Sequence, residues 1–86
     1  MLGVLQSEGM QRSYLQVLEE ILFACREPKA RIQLISETGV SMRKLHFYLK
    51  DLLKQDFVKF HRRKRTYVTT EKGLKFLQLH RRLEGD

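Results

Sequence analysis

Five consecutive basic residues, His61-Arg62-Arg63-Lys64-Arg65, carry the densest charge in the chain. Cationic groups this close repel one another and are relieved by a polyanion, phosphates above all. A second set lies just upstream: Arg43, Lys44, His46, Lys50 and Lys54, interleaved with Phe47. At about 100° per residue, Arg43, Phe47, Lys50 and Lys54 share one helical face, with His46 and Lys44 on its flanks. This is the chemistry of binding. His46, His61 and His80 are far apart in sequence, Cys25 is remote from all three, and no metal-ligand spacing appears. The acidic residues are scattered, and no glycine-rich phosphate loop follows a strand. No catalytic residue, metal, cofactor or small-molecule substrate is therefore expected.

The charge is segregated. The 86 residues carry a net +7. Residues 1–40 hold four basic side chains (Arg12, Arg26, Lys29, Arg31) against five acidic ones, a net of −1. Residues 41–86 hold thirteen against five, a net of +8, so a polyanionic partner belongs with the second half. An apolar content of 42% suits one small folded domain. The single cysteine, Cys25, excludes an internal disulfide and reads as a small buried hydrophobe. No apolar run reaches the length of a membrane span, and the N-terminus lacks a signal-peptide layout. The expectation is a cytoplasmic, nucleoid-associated protein.

The elements that would position these groups follow from periodicity. Residues 1–9 read as a loose arm and 10–86 as one domain. Met10 to Arg26 predicts a helix, with Met10, Tyr14, Leu18, Ile21 and Cys25 on its inner stripe, flanked by Leu15, Val17 and Leu22. Phe23 lies opposite, as a lone exposed aromatic or as a contact with another helix or subunit. Pro28 ends this helix and opens a short element, Lys29 to Thr38, with Ile32, Leu34 and Ile35 as its apolar face. Gly39 caps that element, and Ser41 is the N-cap of a third helix, Met42 to Gln55. Leu45, Tyr48, Leu49, Leu52 and Leu53 form its inward stripe. Two β-rich runs, 57–60 and 66–70, flank the basic cluster as a hairpin. The tip lacks Gly, Asn and Pro, which predicts a long, mobile loop held open by its own charge. Thr70 caps a last helix from Glu71 to about Glu84. Its wide apolar side, Phe76, Leu77, Leu79, His80 and Leu83, is read as packing in part on the domain and in part on a partner, which predicts a homodimer through that helix. The fold class expected is α+β, mostly helical: three helices, a hairpin and a C-terminal helix.

In this order the chain resembles a winged helix-turn-helix domain. More narrowly, it resembles the small archaeal winged-helix family of predicted transcriptional regulators and chromatin proteins. The residues that carry the likeness are Arg31-Ile32, Gly39-Val40-Ser41, Leu45, Tyr48-Leu49, Leu52-Leu53, Tyr67, Thr69-Thr70-Glu71-Lys72-Gly73 and Phe76-Leu77. The resemblance implies binding of double-stranded DNA, usually as a homodimer through the terminal helix. The chain stops about four turns into that helix, and its tip is more basic than the family's average.

On this reading the helix 42–55 enters the major groove, which admits an α-helix. Ser41, Arg43, Lys44, His46, Phe47, Lys50 and Lys54 would face DNA, with Arg43 the candidate for direct guanine readout. Phe47 has two readings, a contact with a thymine methyl or partial cover by a neighbouring element. Arg62, Arg63, Lys64 and Arg65 would lie on the backbone or minor groove. The alternative is a winged-helix module that binds protein within a larger assembly. RNA is a third possibility, disfavoured because the hairpin lacks paired stacking aromatics.

Overall fold

The computed structural model describes residues 12–85, with side chains described through His80. The expected arm 1–9 and Met10 lie outside the described residues. Four helices and one antiparallel hairpin follow in the order helix, helix, helix, strand, strand, helix.

Helix α1 spans Tyr14–Ala24 and begins at a reciprocal cap. The Ser13 hydroxyl accepts from the Gln16 amide at 3.1 Å, and the Gln16 side chain accepts from the Ser13 amide at 2.8 Å. Val17, Leu18, Ile21, Leu22, Ala24 and Cys25 are all buried, a broader face than one stripe, because both α2 (Arg31–Thr38) and the last helix pack on it. Tyr14, expected on the inner stripe, is instead 48% exposed. Its hydroxyl donates to Asp51 across the domain, which draws the ring to the surface.

Pro28 does not open the second helix. Lys29 pairs with Tyr67 through Lys29 N–H to Tyr67 O at 2.9 Å and Tyr67 N–H to Lys29 O at 2.7 Å. The proline keeps the linker extended, so that Lys29 can add one rung to the hairpin before α2 begins. The turn after α2 has Gly39 at φ +73°, the left-handed cap that favours glycine. Buried Val40 anchors the turn, and the Ser41 hydroxyl accepts from the Lys44 amide at 3.3 Å to start α3, Met42–Lys54.

Helix α3 ends in a Schellman motif. Phe57 N–H donates to Leu52 O at 2.9 Å and Asp56 N–H to Leu53 O at 3.0 Å, with Asp56 at φ +64°. Leu45, Leu49 and Leu52 are buried, and Tyr48 is partly so. Leu53, expected inward, is 40% exposed, at the edge of the stripe.

Strand β1 (Val58–His61) pairs with β2 (Thr66–Thr69), Val58 opposite Thr69 and His61 opposite Thr66. Val58, Phe60, Tyr67 and Thr69 share one face. Val58, Tyr67 and Thr69 are buried there, whereas Phe60, nearer the tip, is 42% exposed. The tip is a closed four-residue turn, not an open loop. Lys64 N–H donates to His61 Nδ1 at 3.4 Å, and Arg65 takes φ +54°, the conformation a glycine would otherwise supply.

The hairpin returns to the helices through Thr69, Thr70 and Gly73. The Thr69 hydroxyl donates to Leu22 O at 2.7 Å and its amide to Cys25 O at 2.8 Å, satisfying carbonyls at the end of α1. The Thr70 hydroxyl donates to Asp56 O at 2.7 Å while accepting from the Gly73 amide at 3.0 Å, capping α4, Glu71–Gly85. A Cβ on Gly73 would sit 2.2 Å from Phe57 O and 2.7 Å from the Thr69 methyl. No side chain fits there. The core under this corner runs from Ile21, Leu22 and Cys25 through Leu34, Leu45, Leu49 and Leu52 to Val58 and Leu77. Burial pushes the Cys25 thiol up to about 12, so it stays protonated and acts as a hydrophobe.

Candidate nucleic-acid interface

Two elements carry the groups singled out by sequence. Helix α3 is rigidly held, because its inner leucines are within 1% of complete burial and both its ends are capped. Its outer face is therefore presented as a fixed row. Arg43, Phe47, Lys50 and Lys54 are exposed, as are Ser41, Lys44 and His46 beside them. Of the two readings for Phe47, the ring stands largely uncovered: it is 61% exposed, edge-on to Tyr48 with centroids 6.4 Å apart. Ser41 is already engaged as a cap acceptor, which leaves its hydroxyl proton as the group it can offer.

The only carboxylate on α3 is Asp51, which is turned aside to accept the Tyr14 hydroxyl. That bond and burial push Tyr14 up to about 12, so the phenol remains a donor throughout the physiological range. The carboxylate, about 40° around the helix from Phe47, is thus occupied at the border of the row.

The hairpin tip, Arg62 to Arg65, is exposed throughout. Among the described residues the ion pairs are Arg12 with Glu20, Lys29 with Glu37 and His80 with Glu19, none of them on α3 or the tip. No side-chain hydrogen bond from Arg43, Lys44, Lys50, Lys54 or Arg62 to Arg65 reaches another described residue. Eight cations on two adjoining elements thus face solvent unpaired. Among the described residues no group of three or more His, Cys, Asp and Glu could hold a metal ion.

The apolar residues expected along α4 separate into two groups. Leu77 is 4% exposed and belongs to the domain's own core, not to a free side. Phe76 stacks on Phe57 at 4.7 Å, and His80 packs on Phe76 at 4.3 Å with its Nδ1 3.8 Å from Glu19. Leu79 alone of the set points outward, 57% exposed; the Leu83 side chain lies outside the described residues. Leu74, not singled out from the sequence, is also exposed, but lies about 140° around the helix from Leu79 at 100° per residue.

Two further features escaped sequence reasoning. The Lys29 rung rests on a single pair of backbone bonds, for which a lone lysine gives no signal. The second is a groove of about 530 Å³ between the start of α2, the start of α3 and the hairpin. Its walls include Ile32, expected on the inner face of α2 with Leu34 and Ile35 but 70% exposed, and Met42, at the edge of the α3 stripe.

Comparison with curated proteins returns no match to the chain. The family described as winged helix-turn-helix matches residues 11–85, which spans every element above. Two helices joined by a turn and the hairpin that follows them are the parts that this description names, and the chain belongs to the winged helix-turn-helix family.

Proposed function

We propose that the chain binds double-stranded DNA, with α3 in the major groove and the tip of the hairpin on the backbone or minor groove, as a transcriptional regulator or chromatin-associated factor. The observation that carries this reading is the set of exposed cations on α3 and at the tip, with no ion pair among the described residues. Arg43 and Lys50 are the candidates for base or phosphate contact, and Phe47 for a thymine methyl. Lys44, Lys54 and the tip position the duplex through phosphates, which carry no sequence information. About three contacts from the helix and three from the tip neutralise roughly six phosphates. Affinity for random duplex should then fall ~10³-fold between about 50 and 200 mM salt. A nearly flat salt response in a fluorescence-anisotropy titration would sink the electrostatic reading and favour a protein partner.

Homodimerisation through α4 is the second part of the proposal. Outward Leu79 supports it, whereas Phe76 and Leu77 contribute by stiffening the helix from within. Sedimentation equilibrium at micromolar concentration should give twice the chain mass, and a monomer there would reject it.

A further inference from the structure

The groove beside α3 is not explained by a row of phosphates. Ile32 is 70% exposed, Met42 51% and Phe60 42%, three large apolar side chains around one opening of about 530 Å³. The Phe60 ring lies 4.8 Å from that of buried Tyr67, tilted by 43°, and both rings line the groove. Two guanidinium-bearing residues, Arg31 and Arg65, also line it, with Ala30 and Tyr67. Arg31 Nε donates to the Tyr67 hydroxyl at 3.2 Å, which fixes the side chain while its terminal nitrogens remain to bind an anion.

A paired duplex offers this groove little. Its outer surface is sugar and hydrated phosphate, and its bases are stacked inside. An aromatic face between aliphatic walls, flanked by cations, is complementary to a flat apolar ring joined to an anion. An unpaired nucleotide is such a group, since base–aromatic stacking is tolerant of sequence and backbone phosphates meet arginine. The groove also adjoins the first residue of α3 and the last residue of the tip, where a strand held by the basic surface would pass.

We infer that this groove seats one unpaired nucleobase, stacked on Phe60 between Ile32 and Met42, with its flanking phosphates held by Arg31 and Arg65. The inference rests on the DNA reading of the preceding section. It makes the protein a reader of irregular duplex, such as a bulge or a junction between paired and single strands, in addition to regular DNA.

The test compares three labelled 20-base-pair duplexes at one salt concentration: fully paired, with one extra unpaired adenosine, and with an extra abasic nucleotide at the same place. The bulged adenosine should bind roughly tenfold tighter than the paired duplex, while the abasic bulge should bind as the paired one does. Phe60→Ala should bring the adenosine bulge to the level of the paired duplex and leave paired binding unchanged. Ile32→Ser, at a site 70% exposed, should weaken the bulge preference in the same direction without a folding cost. Circular dichroism confirms that both variants are folded. Equal affinity for paired and bulged probes would overturn the inference and leave the duplex reading intact. So would an abasic bulge that binds as well as the adenosine bulge, because flexibility alone would then explain the preference. If Phe60→Ala folds but lowers all three affinities equally, or if both folded variants keep the preference, the groove is not the seat. Binding of no probe would remove both readings together.

Discussion

The basic residues of the two halves of this domain live in different surroundings. In the first half each has a partner. Arg12 bonds Glu20 and donates to Thr38 O at 2.9 Å, where the end of α2 carries unsatisfied carbonyls. Arg26 donates to Phe23 O and lies 3.7 Å over the Phe23 ring. Lys29 holds Ala24 O and Glu37, both at 3.0 Å, and Arg31 holds Tyr67. In the second half Arg43, Lys44, Lys50, Lys54 and the tip have no such bond among the described residues. Identical side chains thus serve as internal ties in one region and as an open surface in the other. Net charge alone would have hidden this, since a +7 total says nothing about which cations are free to meet a partner.

The contrast can be broken most directly at the tip. Replacing Arg62, Arg63, Lys64 and Arg65 by serine should lower affinity for random duplex by about 10²-fold near 100 mM salt, and reduce the salt slope by about two to three. The melting temperature should stay within a degree or two, because none of the four supports the core. A large loss of stability would show that the tip is structural after all. In the other half, Arg12→Met should do the reverse. Removing a charged donor from the Thr38 carbonyl should cost about 1 kcal/mol in urea unfolding, with duplex affinity unchanged for the folded protein. Loss of binding there would move Arg12 across the divide.

The smallest effect concerns Tyr14, which links the halves through Asp51. Its pKa is raised in the folded protein from about 10 to about 12. The bond therefore contributes stability that is complete below about pH 10 and is lost as pH rises through about 12. Tyr14→Phe should be less stable than the wild type at neutral pH. The gap between the two proteins should then narrow between about pH 10 and 12. Thermal unfolding of both proteins across that interval measures it, and a gap constant with pH would show that the phenol is not held by the carboxylate.

Much of this architecture could be read from residue order. The helix 42–55, the Gly39 turn, the Ser41 and Thr70 caps and both strands leave local signatures, since each depends on periodicity or on a side chain acting within a few residues. The outer row Arg43, Phe47, Lys50 and Lys54 was legible for the same reason: helical spacing fixes which residues share a face. What escaped depends on distant partners. Tyr14 looked like core because it falls on the stripe, and only Asp51, 37 positions away, draws it outward. Leu77 looked like part of a dimer face because periodicity cannot say which surface an apolar stripe will cover. The pairing state of each cation is likewise a three-dimensional property, so the first-half arginines could not be distinguished from those of the tip by sequence.

The corner at Thr69, Thr70 and Gly73 has a consequence for how such a domain can change over time. There the end of α1, the exit of α3 and the start of α4 are locked within five residues, with no room for even a methyl group at Gly73. The tip at 62–65, by contrast, is exposed throughout. Variation is therefore channelled: loop length and charge at 62–65 can drift, be recharged or be exchanged between relatives, while the corner admits almost no substitution. A domain built this way can retune how tightly it grips a polyanion many times over without having to refold around each new solution.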